Sequence, residues 1–250
     1  MEVDCLICEL QGDWIGNEEE EIMIIYQDKI VENQPWLIKY LEPFRLQNNE
    51  IIIDSIRFRK NEEIKKYKFD IRYKIDYLAN DTLKLTKYGI ADTTNKQELK
   101  LVRLNPFYQY EFKEISISSS PCYDSCPVFQ IEIDSTGTFK YQGGSYTNKK
   151  GNYKGKISEE DFQLIQNQVD KVDWKGLKEN YWEQVTDIQY FNVEMEDTNE
   201  KKYSLTTNSP ESKSINILIF HTFKIIEKSE LEKVEKSLEF STDLKYDREK

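Results

Sequence analysis

A procession of short runs rich in Ile, Val, Tyr, Phe and Thr, each closed by Asn, Asp or Gly, fills the first hundred residues. The runs are 10–15, 22–26, 36–40, 44–46, 50–59, 66–77, 82–88 and 98–104. Asn48-Asn49, Asn61-Glu62, Asn80-Asp81 and residues 92–95 punctuate them. β-Branched and aromatic side chains fit a pleated, half-buried surface, and Asn and Asp supply turn chemistry. Short runs at near-regular spacing with no helical period between them predict an antiparallel meander or barrel. Residues 31–40 are where a short helical excursion competes with a strand. Only Ala79 and Ala91 represent alanine, which tilts the chain further towards sheet.

The pattern changes around Asn105-Pro106-Phe107. Strands are expected at 111–118, 128–134 and 138–142, the last two joined by Asp134-Ser135-Thr136-Gly137, in which the glycine accepts a positive φ. Gly143-Gly144 and Gly151 mark bends. Ser158-Glu159-Glu160-Asp161 has the form of a capping box ahead of Phe162, Ile165, Val169 and Val172. Residues 174–182 read as a short helical or irregular piece, and 190–195 with 202–207 as a hairpin around Asp197-Thr198-Asn199. Ser209-Pro210 opens a helix with Ile215, Leu218, Ile219, Thr222 and Ile226 on one face. Ser229 caps a further stretch carrying Leu231, Val234 and Leu238. The expected organisation is α+β overall: an antiparallel β-barrel over 1–108, then an α+β domain over 109–240 with an antiparallel sheet and helices on one face, and a frayed tail at 241–250. The 250 residues suit two modest domains.

Formal net charge is −11. Such a surface repels phosphate backbones and no Lys/Arg cluster overrides it, so a nucleic-acid partner is not expected; the acidic balance favours solubility, as solvated surface, or a basic protein partner. No run approaches the roughly 20 apolar residues of a membrane span. The start, Met1-Glu2-Val3-Asp4-Cys5, lacks the basic and apolar segments of a signal peptide. The chain as given reads as cytoplasmic, and as periplasmic or lipid-anchored if a leader has been removed.

The chemistry concentrates at Ser120-Pro121-Cys122-Tyr123-Asp124-Ser125-Cys126-Pro127. Cysteines four positions apart between prolines form a tight turn with adjacent sulfurs. A disulfide, a reactive thiol pair and a buried structural pair are all compatible with that spacing. Cys5 and Cys8 have metal-like spacing, but they are expected in an apolar strand that aims their sulfurs apart, so no zinc site is expected with Cys122 and Cys126. His221, the single histidine, lies on the apolar helix of the second half, and nothing in the sequence brings it to Cys122. Asp124, Asp134, Asp187 and Glu194 are acid/base candidates, yet 46 acidic residues make chance pairs inevitable. No phosphate loop, nucleophile elbow or metalloprotease motif is present, and no cofactor or metal is expected.

Residues from about 111 to 227 resemble a bacterial domain family of unknown function. The shared features are Cys122, Cys126-Pro127, Gly137, Tyr141-Gln142-Gly143, the helix at 158–172, Tyr181, Asp187 and Pro210. The chain departs from the family between the cysteines, where a glycine is usual and Asp124-Ser125 stand. The resemblance implies a fold and no activity. The first half is similar to lipocalin-like barrels through Gly12-Asp13-Trp14 and the closing run at 100–104. That resemblance implies a barrel-closing pair, Trp14 with Arg103, and a lumen able to hold a small apolar ligand.

The functional expectation is a non-catalytic protein that binds a small ligand or a protein. The alternatives are an interbacterial immunity or inhibitor protein, and a thiol-dependent enzyme using Cys122 or Cys126.

Overall fold

The computed structural model describes residues 3–18, 21–32, 42–60, 63–89, 94–123, 125–185, 187–209 and 211–241. It is mostly β and divides into two compact units, with the break between Asn105 and Pro106. The strand expected at 36–40, the turn at Asn61-Glu62, residues 92 and 93, Asp124, Pro210 and the tail beyond 241 lie outside the described residues. No helix among the described residues is long and apolar enough to cross a membrane.

The first unit opens with helix α1 (Val3–Leu10), followed by strands β1 (Gly12–Gly16), β2 (Ile22–Tyr26), β3 (Lys29–Glu32), β4 (Glu42–Pro43), β5 (Arg45–Gln47), β6 (Glu50–Lys60), β7 (Glu63–Ala79), β8 (Thr82–Gly89) and β9 (Gln97–Arg103). Val31 and Glu32 end β3, so that part of the 31–40 stretch is strand. The strands form one antiparallel sheet in the order β4-β3-β2-β1-β9-β8-β7-β6-β5. β4 and β5 lie at opposite ends of that order, yet only Phe44 separates them in the chain. The two ends of the sheet therefore meet, and the sheet is a nearly closed barrel-like one. Its inner face gathers Trp14, Met23, Ile25, Ile51, Tyr73, Leu83, Leu85 and Leu101 into a single core.

The stretch holding Cys5 and Cys8 is helical, not the apolar strand expected of it. Leu6 and Leu10, four residues apart, share one helical face. Leu10 is fully buried, and Leu6 packs against the same barrel core. Burying that face favours one helical turn after another where a strand would split the two leucines across opposite sides.

The second unit contains β10 (Phe112–Ser119), β11 (Phe129–Asp134), β12 (Thr138–Gly143), β13 (Gly151–Lys156), β14 (Asn180–Tyr181), β15 (Phe191–Asp197), β16 (Lys202–Thr207) and β17 (Glu232–Val234). Helices α2 (Glu159–Val169) and α3 (Lys213–Lys228) complete it. Sheet order is β14-β16-β15-β10-β11-β12-β13-β17, antiparallel throughout except for the β14/β16 pair. Ile115 opposes Ile133 and Met195, and Ile117 opposes Ile131 and Val193. That face joins Ile165 and Val169 of α2 and Ile215, Leu218, Ile219 and Phe223 of α3 in one core. Each such side chain, fully buried, contributes about 1.5–3 kcal/mol.

Local chemistry sets the ends. Ser158 caps α2, its hydroxyl accepting from the Asp161 N–H at 3.1 Å; Asp161 then pairs with Lys228 at 2.7 Å, not with the cap. Asp134 Oδ1 accepts from the Thr136 and Thr138 amides while Gly137 takes φ 76°. Residues 174–179 are irregular and lead into β14. Ser229 corrects an expectation, because it terminates α3 instead of capping a new helix. Its N–H and hydroxyl both return to Ile225 O, its backbone is extended, and the chain continues as β17 along the open edge of β13.

Candidate functional site

The register brings three loops of the second unit to one end of its sheet. Ser119 at the end of β10 opposes Phe191 at the start of β15, and Phe191 opposes Thr207 at the end of β16. Loops 120–128, 182–190 and 208–212 therefore meet there. Beneath them, Phe129 stacks on Phe223 with centroids 4.4 Å apart, giving the loops a rigid floor.

Cys122 and Cys126 are joined by a disulfide, with Cα atoms 5.7 Å apart. The stems of this turn are held by a separate polar network. Ser119 Oγ donates to Pro127 O and accepts from the Phe129 N–H, both at 2.9 Å. Gln189, fully buried, donates from Nε2 to Pro127 O at 2.7 Å and to Ser120 O at 3.1 Å. Ser120 and Tyr190 exchange two bonds: Ser120 N–H to Tyr190 O at 2.9 Å, and Tyr190 N–H to Ser120 Oγ at 3.0 Å. Because a buried carbonyl left unpaired costs about 1–3 kcal/mol, Gln189 fixes the stems firmly. Its own Oε1 is buried with no partner.

At the tip, the Tyr123 N–H donates to Asp187 O at 3.1 Å, and Asp187 takes a left-handed φ of 66°, which aspartate tolerates better than most residues. Next to it, Asn208 and Glu183 exchange backbone and side-chain bonds at 2.7 and 3.1 Å, and Ser209 Oγ donates to Glu183 Oε1. These bonds leave large apolar groups in water: Tyr123 is 89% exposed, Trp182 57% and Val185 51%. Trp182 leans on Tyr190 with centroids 5.9 Å apart. By sequence the three loops carry Asp124, Glu183, Asp187 and Glu211 and no lysine or arginine.

The other singled-out residues lie elsewhere. Trp14 and Arg103 oppose one another across β1 and β9, the guanidinium carbon 4.1 Å from the indole centroid. Trp14 is fully buried and its indole N–H donates to Leu10 O at 2.8 Å. Arg103 donates to the carbonyls of Glu9, at 2.6 Å, and Gln11. His221 is buried on α3 with its ring against Phe220. Cys8 is exposed with a free thiol, and the Cys5 side chain lies outside the described ones. Bridging engages both Cys122 and Cys126, so the four cysteines do not form a thiolate set. Asp134 serves its hairpin, and Glu194 is half-buried on β15.

Sequence reasoning missed Gln189, Ser119 and Asn208. The signal available was weak: three successive serines before Pro121, and polar residues at positions where strand alternation calls for burial. No curated protein and no solved structure matches the chain. Residues 113–236, the span that holds the bridged turn, match the family described as a domain of unknown function (DUF6438).

Proposed function

We propose that this is a non-catalytic binding protein that docks a basic protein partner on the end of the second unit that carries the bridged turn. The observation that carries this reading is Tyr123, held on a pinned loop with nearly nine-tenths of its surface in water. Tyr and Trp are the side chains that dominate interface energies when a partner encloses them. A loop that is already ordered loses little entropy on association. By sequence the three loops carry four carboxylates and no cation, and of those described only Glu211 is ion-paired, to Lys178 at 3.8 Å; that balance favours a partner with a basic rim, and such pairing mainly raises the association rate. An immunity or inhibitor role is the specific form of this reading that the acidic loops favour, and a toxin-like neighbouring gene is its first check.

The first unit is read as a lipocalin-like barrel, supported by the stacking of Arg103 on Trp14 and the meeting of β4 with β5. Trp14, Met23 and Tyr73 project inwards and are fully buried, which favours a protein partner over a small apolar ligand in the lumen. Native mass spectrometry that returns a retained small molecule reverses that preference.

A photo-crosslinking residue placed at position 123 or 182 tests the docking surface in the source cells. A defined adduct is expected from both positions and none from position 102, an exposed residue of β9. No adduct at 123 and 182, or the same adducts at all three positions, refutes the reading.

A further inference from the structure

We infer that the Cys122–Cys126 bridge is a reversible redox latch on the loop tip that presents Tyr123, opened by a dithiol reductant without unfolding the unit beneath. The inference rests on the docking reading above and supplies its regulation.

The turn is secured twice, by independent devices. Its stems are clamped at Ser120 and Pro127 by Gln189, at Phe129 by Ser119 Oγ, and at Tyr190 by the paired bonds with Ser120. None of these bonds passes through a sulfur. The bridge closes only the tip, a ring spanning four sequence positions, at the short end of what chain entropy rewards. Stabilising the whole unit is therefore a poor account of it, and holding the tip that carries Tyr123 is a better one. Cys122 is half-buried and Cys126 is 8% exposed, so Cys122 is the more open residue of the pair.

In the reducing step, one thiolate of the dithiol attacks Cys122 Sγ, the Cys122–Cys126 bond breaks, and Cys126 leaves as a thiolate that takes up a proton. The second thiolate of the reductant then attacks the mixed disulfide and releases Cys122, which is protonated in turn. The reductant loses two electrons and two protons and becomes a disulfide; the bridge gains both. With the ring open, the Tyr123 N–H bond to Asp187 O is held by the tip alone, and the aromatic anchor loses its fixed position.

Amide exchange on the 15N-labelled full chain, before and after dithiothreitol, tests this without any partner. Protection at Tyr123 is expected to fall at least tenfold on reduction, while Ser120, Phe129 and Tyr190 change less than twofold. The Cys122→Ser/Cys126→Ser double variant should show the reduced pattern without reductant, and glutathione disulfide should restore protection in the wild type. Unchanged Tyr123 protection, parallel loss at Ser120, Phe129 and Tyr190, or a bridge reduced only after unfolding each overturns the latch. Such a failure leaves the docking surface standing, because that reading is decided by the crosslinks at 123 and 182.

Discussion

Arg103 should control how tightly α1 closes the barrel core, and its replacements should rank in a way that simple loss of charge does not. The guanidinium lies over the Trp14 ring and donates to two carbonyls at the end of α1, those of Glu9 and Gln11. Helix ends leave such carbonyls unpaired, and a cation there also meets the negative end of the helix dipole. Each charge-assisted bond is worth about 1.5 kcal/mol at the low end, appropriate for a side chain 24% exposed. Stacking over an aromatic ring adds about 0.5–1 kcal/mol, and the exposed Asp81 pair adds close to nothing. Arg103→Met keeps the stem on Trp14 and loses the rest, about 3.5–4 kcal/mol. Arg103→Lys keeps a charge and one bond but not the fork, losing about 1.5 kcal/mol. The readout is hydrogen exchange of the Trp14 indole N–H, whose bond to Leu10 O reports α1 directly. Protection should fall about tenfold for Arg103→Lys and several hundredfold for Arg103→Met, at about 1.4 kcal/mol per factor of ten. Gly12→Ala adds a second arm: its Cβ would sit 2.5 Å from Arg103 Nη1, at φ 136°. In the Arg103→Met background the clash disappears and only the backbone strain remains. Equal protection in Arg103→Lys and wild type would refute the fork argument.

At Gln189, two opposed effects set the outcome of substitution. Gln189→Met loses two hydrogen bonds at about 1 kcal/mol each but removes an unpartnered buried oxygen, so a net loss near 1 kcal/mol is expected in urea titration of the second unit. Gln189→Glu turns a carboxylate towards the Ser120 and Pro127 carbonyls and should cost about 3 kcal/mol or more at neutral pH; a glutamate variant as stable as the parent contradicts the assignment. Glu132 sets an acid-side dependence. Burial pushes its carboxyl up, but Lys140 and the Ser241 N–H, at 2.7 Å, outweigh it and hold the folded value below the ordinary 4.5. A lowered folded value means that the contribution is fully present above 4.5 and is lost as pH falls through the folded value. The melting-temperature gap between wild type and Glu132→Gln should therefore shrink from pH 7 to pH 3, and a gap that is constant or widens argues against the pairing. Gly143→Ala places a Cβ 1.9 Å from the Lys149 backbone oxygen and 2.8 Å from Thr147 Oγ1. It should destabilise the bend by about 2 kcal/mol and expose the Gly151 amide to exchange; unchanged protection at Gly151 speaks against the close approach.

The β-rich character of both halves was legible because strand alternation and turn chemistry are local signals. Ile115, Ile117, Ile131 and Ile133 show a period of two, and Ser158 announces α2 through bonds within three residues. What escaped detection is non-local or ambiguous over a short span. The eight residues of α1 are apolar on more than one side, so only the barrel core they cover decides between helix and strand. β17 exists because β13 has an edge to pair, which Leu231, Val234 and Leu238 do not declare in a sequence whose spacing also fits a helix. Gln189 acts on carbonyls 62 and 69 positions away, a relation that no period in the chain encodes.

Exposure separates what holds the protein together from what it shows to others. Trp14 and Arg103 form a pair whose contacts are made inside one unit: the ring is fully buried and the guanidinium bonds to its own chain. Folding alone accounts for them. Tyr123 is the opposite case. Ordering its backbone costs about 1–2 kcal/mol, and the folded chain returns little burial for that side chain, which stays 89% exposed. A bridge, a left-handed Asp187 and a buried glutamine nevertheless converge to hold that loop in one place. Full burial of an aromatic side chain is worth about 1.5–3 kcal/mol, which offsets that ordering once a second surface covers it. The same arithmetic applies to Trp182, half-exposed beside Tyr190. On the proposed docking reading, a partner surface covering the loop end of the second unit would account for an ordering that its own fold does not repay.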